Sequence, residues 1–295
     1  MGSTTLYLAA ILIWGSTWYA IKLQLGWVEP VVSVAYRFAL AAALLMAWCI
    51  IRNLPMRFNS AAHLGMALLG LFLFSSNYAI FYYASVNLTS GLVAVIFSTI
   101  VILNIIGGAL FLSNRITVPV VVGALTGIVG LAMIFLPDLS SFDSLGVLLA
   151  IFGTLLASIG NIVSARIQRR DIPVVQANAY GMSYGTLFLF IAVWWFDIPL
   201  RFELTPTYMG SLIYLAVFGS ILAFGSYLTL VGRVGPGRAA YAMVLFPIVA
   251  LLISTLLEGY QWTALSIAGV ALVLIGNFII IRPGASATDS PITAE

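Results

Sequence analysis

Residues 84–134 read ASVNLTSGLVAVIFSTIVILNIIGGALFLSNRITVPVVVGALTGIVGLAMI, and a similar stretch follows 146 positions later, without a gap, at residues 230–280. Chance similarity between two apolar segments is the alternative explanation. The matched glycines favour a duplicated unit, because they keep one register across two hydrophobic segments and the turn between them. Identical pairs in this alignment include Gly91 with Gly237, Ala94 with Ala240, Ile102 with Ile248, Leu110 with Leu256, Thr117 with Thr263, Gly123 with Gly269 and Gly130 with Gly276.

The composition is typical of a protein embedded in a lipid bilayer. Hydrophobic residues make up 62% of the 295 residues and charged residues only 7%, whereas soluble proteins carry about 25% charged residues. The mean hydropathy is +1.13. The net charge of +3 does not indicate a nucleic-acid partner, because the basic residues lie singly beside hydrophobic segments. We therefore expect an integral membrane protein that binds no nucleic acid.

Ten apolar segments are long enough to cross a membrane as helices. A helix needs roughly 20 apolar residues to cross the hydrocarbon core, and a helix satisfies its own backbone polar groups within lipid. The predicted spans are 4–21, 31–51, 62–84, 89–112, 117–136, 145–165, 174–196, 208–231, 237–257 and 263–281. The predicted fold class is an all-α integral membrane protein with ten transmembrane helices, followed by a disordered polar tail at 284–295.

The distribution of Lys and Arg predicts the orientation of these spans. Cytoplasmic loops normally carry the excess of basic residues, so we expect both termini to face the cytoplasm. With that orientation nine basic residues fall inside, namely Arg52, Arg57, Arg115, Arg166, Arg169, Arg170, Arg233, Arg238 and Arg282, and three fall outside, namely Lys22, Arg37 and Arg201.

The number of spans per repeat determines how the two copies are related. Five spans is an odd number, so a second repeat at 138–283 enters the membrane upside down relative to a first repeat at 1–137. The two repeats are then related by a pseudo-two-fold axis in the membrane plane. Many secondary transporters have this architecture, with the substrate site near the midplane at the repeat interface.

Polar and aromatic residues within the spans are the candidates for a substrate cavity. Hydroxyl and amide groups can hydrogen-bond a polar solute, and aromatic rings can pack against its apolar part. The alternatives are an aromatic belt at the membrane interface and simple helix packing. The candidates are Trp14, Thr17, Trp18, Asn77, Tyr78, Phe81, Tyr82, Ser98, Asn161, Tyr180, Tyr184 and Tyr241.

Two cations and one proline complete the predicted site. Arg37 lies one turn inside span 2. Its side chain is expected to reach the outer interface, and the alternatives are a pair with Glu29 or attraction of a substrate carboxylate near the outer mouth. Lys22 has the same alternatives. Pro247 is expected to kink its helix, and the alternative is that it exposes a backbone carbonyl around Met243 to a ligand. His63 is expected to be solvated, and a proton relay is the alternative. No acid lies deep within a predicted span, so coupling through a buried carboxylate is not expected.

The sequence contains no pattern typical of catalysis or of a bound metal or cofactor. Cys/His metal spacing, a phosphate-binding loop and a nucleophile elbow are all missing from it. With one histidine and no buried acid, no acid and base pair can be assigned. We expect no enzymatic activity, no metal and no cofactor.

The chain resembles the drug/metabolite transporter superfamily of the EamA type over nearly its whole length. The resemblance implies two inverted five-helix repeats that move small metabolites through a central cavity, and the aromatic spans are most similar to YddG-type exporters of aromatic amino acids. The family pattern is not kept at Val101, Asn114 and Tyr260. The residues that carry the resemblance are Trp14, Gly15, Ser16, Thr17, Arg37, Phe38, Gly91, Gly123, Gly130, Gly237, Pro247, Gly269 and Gly276.

The expected function is export of amino acids, aromatic ones preferred, or of similar amphipathic metabolites by alternating access. We expect a multi-pass protein of the bacterial inner membrane that works as a monomer. A multidrug exporter and a nucleotide-sugar or other metabolite exporter of the same superfamily are the alternatives within transport. An intramembrane enzyme or a structural scaffold is the alternative from a different class.

Overall fold

The protein is described by a computed structural model that covers residues 2–112, 116–135, 144–227 and 241–281. These residues form helices and connections, with no strand among them. In chain order the helices are α1 (Ser3–Lys22), α2 (Pro30–Ile51), α3 (Ser60–Asn87), α4 (Ser90–Ser98 and Ile100–Leu112), α5 (Val118–Phe135), α6 (Ser144–Gln168), α7 (Val174–Trp195), α8 (Pro206–Tyr227), α9 (Tyr241–Leu257) and α10 (Ala264–Ile281). The expectation of an all-helical protein is thus confirmed for the described residues.

Several predictions fall on residues outside the described ranges. They are the disordered tail at 284–295, the repeat residues Gly237 and Ala240, the loop cations Arg115, Arg233, Arg238 and Arg282, and Asn114. Elsewhere each predicted span coincides with a helix, and the bounds differ by at most three residues where both are described.

Six of the helices are both long and apolar enough to cross a membrane, namely α1, α2, α3, α4, α6 and α8. Three shorter apolar helices lie at Val118–Ile134, Ala242–Leu257 and Ala264–Ile280. The 22 residues of α7 have sufficient length, but polar residues in its first half, such as Gln176 and Asn178, lower its hydropathy. A multi-pass membrane protein follows from these helices, whereas ten crossings remain a prediction.

Two of the helices contain π-helical turns that the sequence did not predict. Phe72–Ser76 forms one within α3, and Tyr214–Leu222 forms another within α8. In the second, the Ser220 hydroxyl donates to the carbonyl oxygen of Leu215, five residues earlier, over 3.0 Å. A π turn shifts the faces of a helix relative to one another and is frequent at functional sites. Both π turns precede residues that line the central cavity.

Helices α5 and α10 pack through two reciprocal pairs of glycines. A methyl group added to Gly123 would lie 2.5 Å from the carbonyl oxygen of Gly276, and one added to Gly276 would lie 2.5 Å from that of Gly123. Gly130 and Gly269 face each other in the same way, at 2.5 and 2.6 Å. Small residues let helix backbones approach closely in membrane proteins, so only glycine fits at these four positions.

One end of the bundle is joined by a carboxylate. Glu258, just after α9, accepts hydrogen bonds from the backbone nitrogen of Ser90 over 3.1 and 3.0 Å and from the Ser90 hydroxyl. Lys22, the last residue of α1, lies 4.0 Å from the same carboxylate. A negative charge at the start of α4 is favourable because the helix dipole is positive there. The contact therefore joins α1, α4 and α9 at this end.

Candidate functional site

A cavity of about 470 Å³ lies between the helices. The structure brings seven of the predicted substrate residues to its wall: Trp14, Thr17, Trp18, Asn77, Tyr78, Phe81 and Asn161. The other lining residues are Ile21, Arg37, Leu73, Phe97, Ile100, Val101, Asn104, Ile105, Val120, Ser164, Ala165, Gln168, Val174, Asn178, Phe224, Tyr227, Met243, Phe246 and Ile280.

Aromatic rings form two clusters on the cavity wall. Trp18 packs edge-on against Phe81, with ring centroids 5.3 Å apart, and contacts Phe97 at the same centroid distance. Trp14 packs against two rings of α8, with centroids 5.4 Å from Phe224 and 5.2 Å from Tyr227. Such surfaces suit the apolar or aromatic part of a solute.

Arg37 lies in the wall of the cavity rather than at the protein surface. Its side chain is 1% exposed, and its Nε atom donates a hydrogen bond to the hydroxyl of Ser220 over 3.2 Å. The guanidinium carbon lies 4.5 Å from the ring centroid of Tyr78 and 5.2 Å from that of Phe38. Its Nη1 atom is buried without a hydrogen-bond partner.

Amide side chains supply the other polar groups of the wall. Asn77 directly follows the π turn of α3, is 1% exposed, and has an Oδ1 atom without a hydrogen-bond partner. Asn161 donates from Nδ2 to Oδ1 of Asn104 over 3.3 Å. Asn178 of α7 also lines the cavity. The wall therefore offers a guanidinium donor and amide groups, and none of its described residues is acidic.

Two of the predicted substrate residues pack outside the cavity lining. Tyr82 is fully buried and donates its hydroxyl proton to Gln24 over 2.6 Å. Ser98 donates to the carbonyl oxygen of Val95, and its own backbone carbonyl accepts from Asn277 over 3.2 Å. Both hydroxyl groups thus have partners within the protein.

Tyr180 and Tyr184 lie in a separate cluster near the start of α3. Tyr184 shares a hydrogen bond of 2.9 Å with Nδ1 of His63, so His63 is half-buried and bonded rather than solvated. The Tyr180 hydroxyl donates to the carbonyl oxygen of Met56 over 2.8 Å, and its ring packs edge-on against Phe58. Neither tyrosine lines the cavity.

The remaining predicted residues have other positions. Lys22 is paired with Glu258 and does not line the cavity. Pro247 lies inside α9, which continues on both sides of it, and the expected kink stays a prediction. Tyr241 begins α9, and its side chain lies outside the described part of the structure.

Most of the cavity wall lies toward one end of the bundle. Gln168 ends α6 and Val174 begins α7, so the connection at 169–173 lies at this end, and Asn161 lies about two helical turns before it. Helices joined by short connections run antiparallel, which places Arg37, near the start of α2, toward the opposite end. Gln168 is exposed. The cavity thus extends from the end that holds residues 169–173 inward to Arg37.

Hydrogen bonds join the helices at the Arg37 end. Ser33 of α2 and Tyr208 of α8 share a bond of 2.9 Å between two buried hydroxyls. The Tyr36 hydroxyl donates to the carbonyl oxygen of Arg201, just before α8, over 3.1 Å. Together with the bonds of Tyr82 and Glu258, these contacts hold the helices together at this end.

The sequence profile of the EamA-like transporter family matches the chain twice, at residues 2–136 and 144–282. The chain belongs to this family. The resemblance predicted from the sequence is thereby confirmed at the level of the family, and the closer likeness to YddG-type exporters remains a prediction.

Known relatives of this EamA-like protein align over almost the whole chain. Protein PagO of Salmonella typhimurium is 22% identical, covering 98% of this chain and 95% of that protein. The uncharacterized inner membrane transporter YedA of Escherichia coli K12 is 29% identical, covering 90% and 88%. An uncharacterized transporter of Archaeoglobus fulgidus is 25% identical, covering 92% and 96%.

A solved crystal structure has the same fold. It superimposes with a TM-score of 0.68 over 94% of this chain and 96% of the other, at 17% sequence identity. At this level of identity the similarity extends to the fold alone.

Proposed function

We propose that this protein is a secondary transporter that exports amino acids, aromatic ones preferred, or similar amphipathic metabolites through its central cavity. The observation that carries the proposal is the cavity itself: about 470 Å³ is within the usual range for small-molecule sites. Its wall combines aromatic rings with the unpartnered polar atoms of Arg37 and Asn77. Membership in a transporter family supports movement of the bound molecule rather than its chemical conversion.

The proposed architecture is two inverted five-helix repeats, at residues 1–137 and 138–283, with ten membrane crossings. The reciprocal glycine contacts of α5 and α10 support it, since the 146-residue alignment maps the contact between Gly123 and Gly276 onto the contact between Gly269 and Gly130. The two tyrosine bonds also support it. Tyr36 and Tyr180 each lie six residues after the first residue of their helix, α2 and α7. Tyr36 donates to a backbone carbonyl before α8, and Tyr180 donates to one before α3.

The proposed mechanism is alternating access around the cavity. With both termini in the cytoplasm, the end that holds residues 169–173 faces inward, and the Arg37 end faces outward in the bacterial inner membrane. The described conformation is then open toward the cytoplasm and closed outside by contacts such as Ser33 with Tyr208. Helices α4, α5, α9 and α10 would form the scaffold, and the others would move against it as a monomer.

A multidrug exporter is a second candidate for this fold. Cationic drugs are normally bound by carboxylates within the membrane, and the described lining residues include no acid. The same observation disfavours coupling through a buried carboxylate. The cavity therefore fits amino acids and related metabolites better than cationic drugs.

The test is counterflow in proteoliposomes with a panel of labelled amino acids. The wild-type protein should exchange aromatic amino acids, and Tyr78→Ala should slow this exchange because the ring lies in the cavity wall beneath Arg37. Tyr184→Ala is the matched control, since it removes a tyrosine ring outside the lining. Failure of the wild-type protein to exchange any amino acid would remove the proposal.

A further inference from the structure

Arg37 is a buried cation without a carboxylate partner in the part of the chain that the structure describes. Its side chain is 1% exposed, and the ion pair found among the described residues joins Lys22 to Glu258 instead. The described acids all lie outside the cavity lining, namely Glu29, Asp171, Asp197, Glu203 and Glu258.

The contacts of Arg37 orient the guanidinium without completing its hydrogen bonds. Ser220 accepts from Nε, and the rings of Tyr78 and Phe38 lie close enough for cation–π attraction. The Tyr82 hydroxyl also lies within hydrogen-bonding reach of the guanidinium. Two neutral hydroxyls and two rings do not neutralise the charge, and Nη1 remains buried without an acceptor. Burying a cation is costly unless it is paired and hydrogen-bonded. An ionisable residue inside a membrane protein with this deficit is expected to bind a charged ligand.

The cavity wall offers different partners to the carboxylate and to the ammonium group of an amino acid. A carboxylate would meet the guanidinium of Arg37, whose planar donors suit two carboxylate oxygens. An ammonium group would meet only neutral oxygens, such as the unpartnered Oδ1 of Asn77, because none of the described lining residues is acidic. The negative group therefore gains a charged partner, and the positive group does not.

We propose that the cavity selects organic carboxylates with an aromatic or apolar body, that the carboxylate binds Nη1 of Arg37, and that an amino group on the ligand is dispensable. This proposal rests on the proposed function in one respect, since it takes the cavity to be the substrate site. It extends the substrate class beyond amino acids to aromatic and aliphatic monocarboxylates.

Ligand binding to the purified protein in detergent tests the proposal without any transport. Trp14 and Trp18 lie in the cavity wall, so ligand binding should change the tryptophan fluorescence. Three ligands of similar shape separate the charges: phenylalanine, 3-phenylpropanoate without the amine, and phenethylamine without the carboxylate. We expect the first two to bind within about 10-fold of each other, and phenethylamine to bind at least about 30-fold more weakly.

Variants of Arg37 identify the group that sets this preference. Arg37→Gln should lower the affinity for 3-phenylpropanoate about 30-fold or more and leave that for phenethylamine nearly unchanged. Arg37→Lys keeps the charge but not the planar fork, so it should retain part of the preference. Arg201→Gln is the matched control, since it removes an exposed positive charge outside the cavity lining.

Several results would overturn the proposal. The proposal is wrong if phenethylamine binds the wild-type protein as tightly as 3-phenylpropanoate does. It is also wrong if none of the three ligands binds, or if folded Arg37→Gln still prefers carboxylates. If Arg37→Gln does not fold, Arg37→Lys and the wild-type ligand series decide. Counterflow is measured separately, so carboxylate-selective binding without exchange would remove the transport function and leave this assignment intact.

Discussion

Gly123 and Gly276 face each other across α5 and α10 so closely that a methyl group on either would lie 2.5 Å from the carbonyl oxygen of the other. Gly130 and Gly269 repeat the contact about two helical turns away, in the reverse order along the two helices. Ile280 and Ile134 flank the two pairs in matching positions, at 2.6 Å from a methyl group added to Gly123 and to Gly269. The 146-residue alignment exchanges Gly123 with Gly269 and Gly276 with Gly130, so it turns the first glycine pair into the second. Such an exchange is typical of two-fold symmetry.

The first prediction is that Gly276→Ala destabilises the protein. The added methyl group would meet the backbone of α5, which cannot move aside as a flexible side chain can, so we expect a loss of about 1–3 kcal/mol in the free energy of unfolding. Thermal unfolding in detergent measures the effect. Gly127→Ala is the control, because its methyl group would lie 3.5 Å from Ile102 and should be tolerated. Equal stability of the two variants would contradict the packing described.

The second prediction concerns Glu258. Glu258→Ala removes the acceptor for the first residue of α4 and leaves Lys22 unpaired, so we expect a loss of about 1–2 kcal/mol in stability. Glu258→Gln should lose less, since its amide oxygen still accepts a hydrogen bond. Glu29→Ala serves as control because Glu29 precedes α2 without a capping bond from its side chain. Thermal unfolding measures the stability of all three variants. Equal stability of Glu258→Ala and Glu29→Ala would disprove the capping role.

The third prediction concerns Trp18, whose ring contacts Phe81 and Phe97. Trp18→Ala should weaken the binding of phenylalanine at least about tenfold and that of leucine less, because an aromatic ligand loses a ring contact in addition to buried area. Trp18→Phe should retain most of the affinity. Equilibrium binding of labelled ligands to the purified protein provides the measurement. Trp27→Ala is the control, since Trp27 is 63% exposed and lies outside the cavity lining. An equal loss of affinity for phenylalanine and leucine in Trp18→Ala would argue against recognition of an aromatic ring.

The fold was largely predictable because apolar length is a direct sequence signal. Long hydrophobic segments separated by short polar connections fixed the helices to within three residues where both bounds are described. The π turns at Phe72–Ser76 and Tyr214–Leu222 were not predictable. Their extra residue changes which side chains face the cavity, and nothing in the local composition distinguishes them from ordinary helix.

The site was predictable only in part, because these helices are hydrophobic all round and their periodicity does not identify an inner face. Tyr78 and Tyr184 look alike in the sequence, yet one lies beneath Arg37 and the other bonds to His63. Phe224 and Tyr227 were not predicted, because they lie three residues apart on α8 and are not part of a polar cluster in the sequence. Arg37 is buried and bonds to Ser220, 183 positions away, and no local pattern reveals that contact.

The last prediction tests alternating access through the reactivity of single cysteines in a Cys49→Ala background. Asn161 lines the cavity about two helical turns inside its open end, so Asn161→Cys should react with a membrane-impermeant maleimide in inside-out vesicles and much less in right-side-out vesicles. Substrate that drives the transporter outward should reduce this labelling, because the cytoplasmic end then closes. Ser158→Cys on the same helix is the control, since Ser158 is 3% exposed and does not line the cavity. Labelling of Asn161→Cys that is equal from both sides, with and without substrate, would rule out the mechanism.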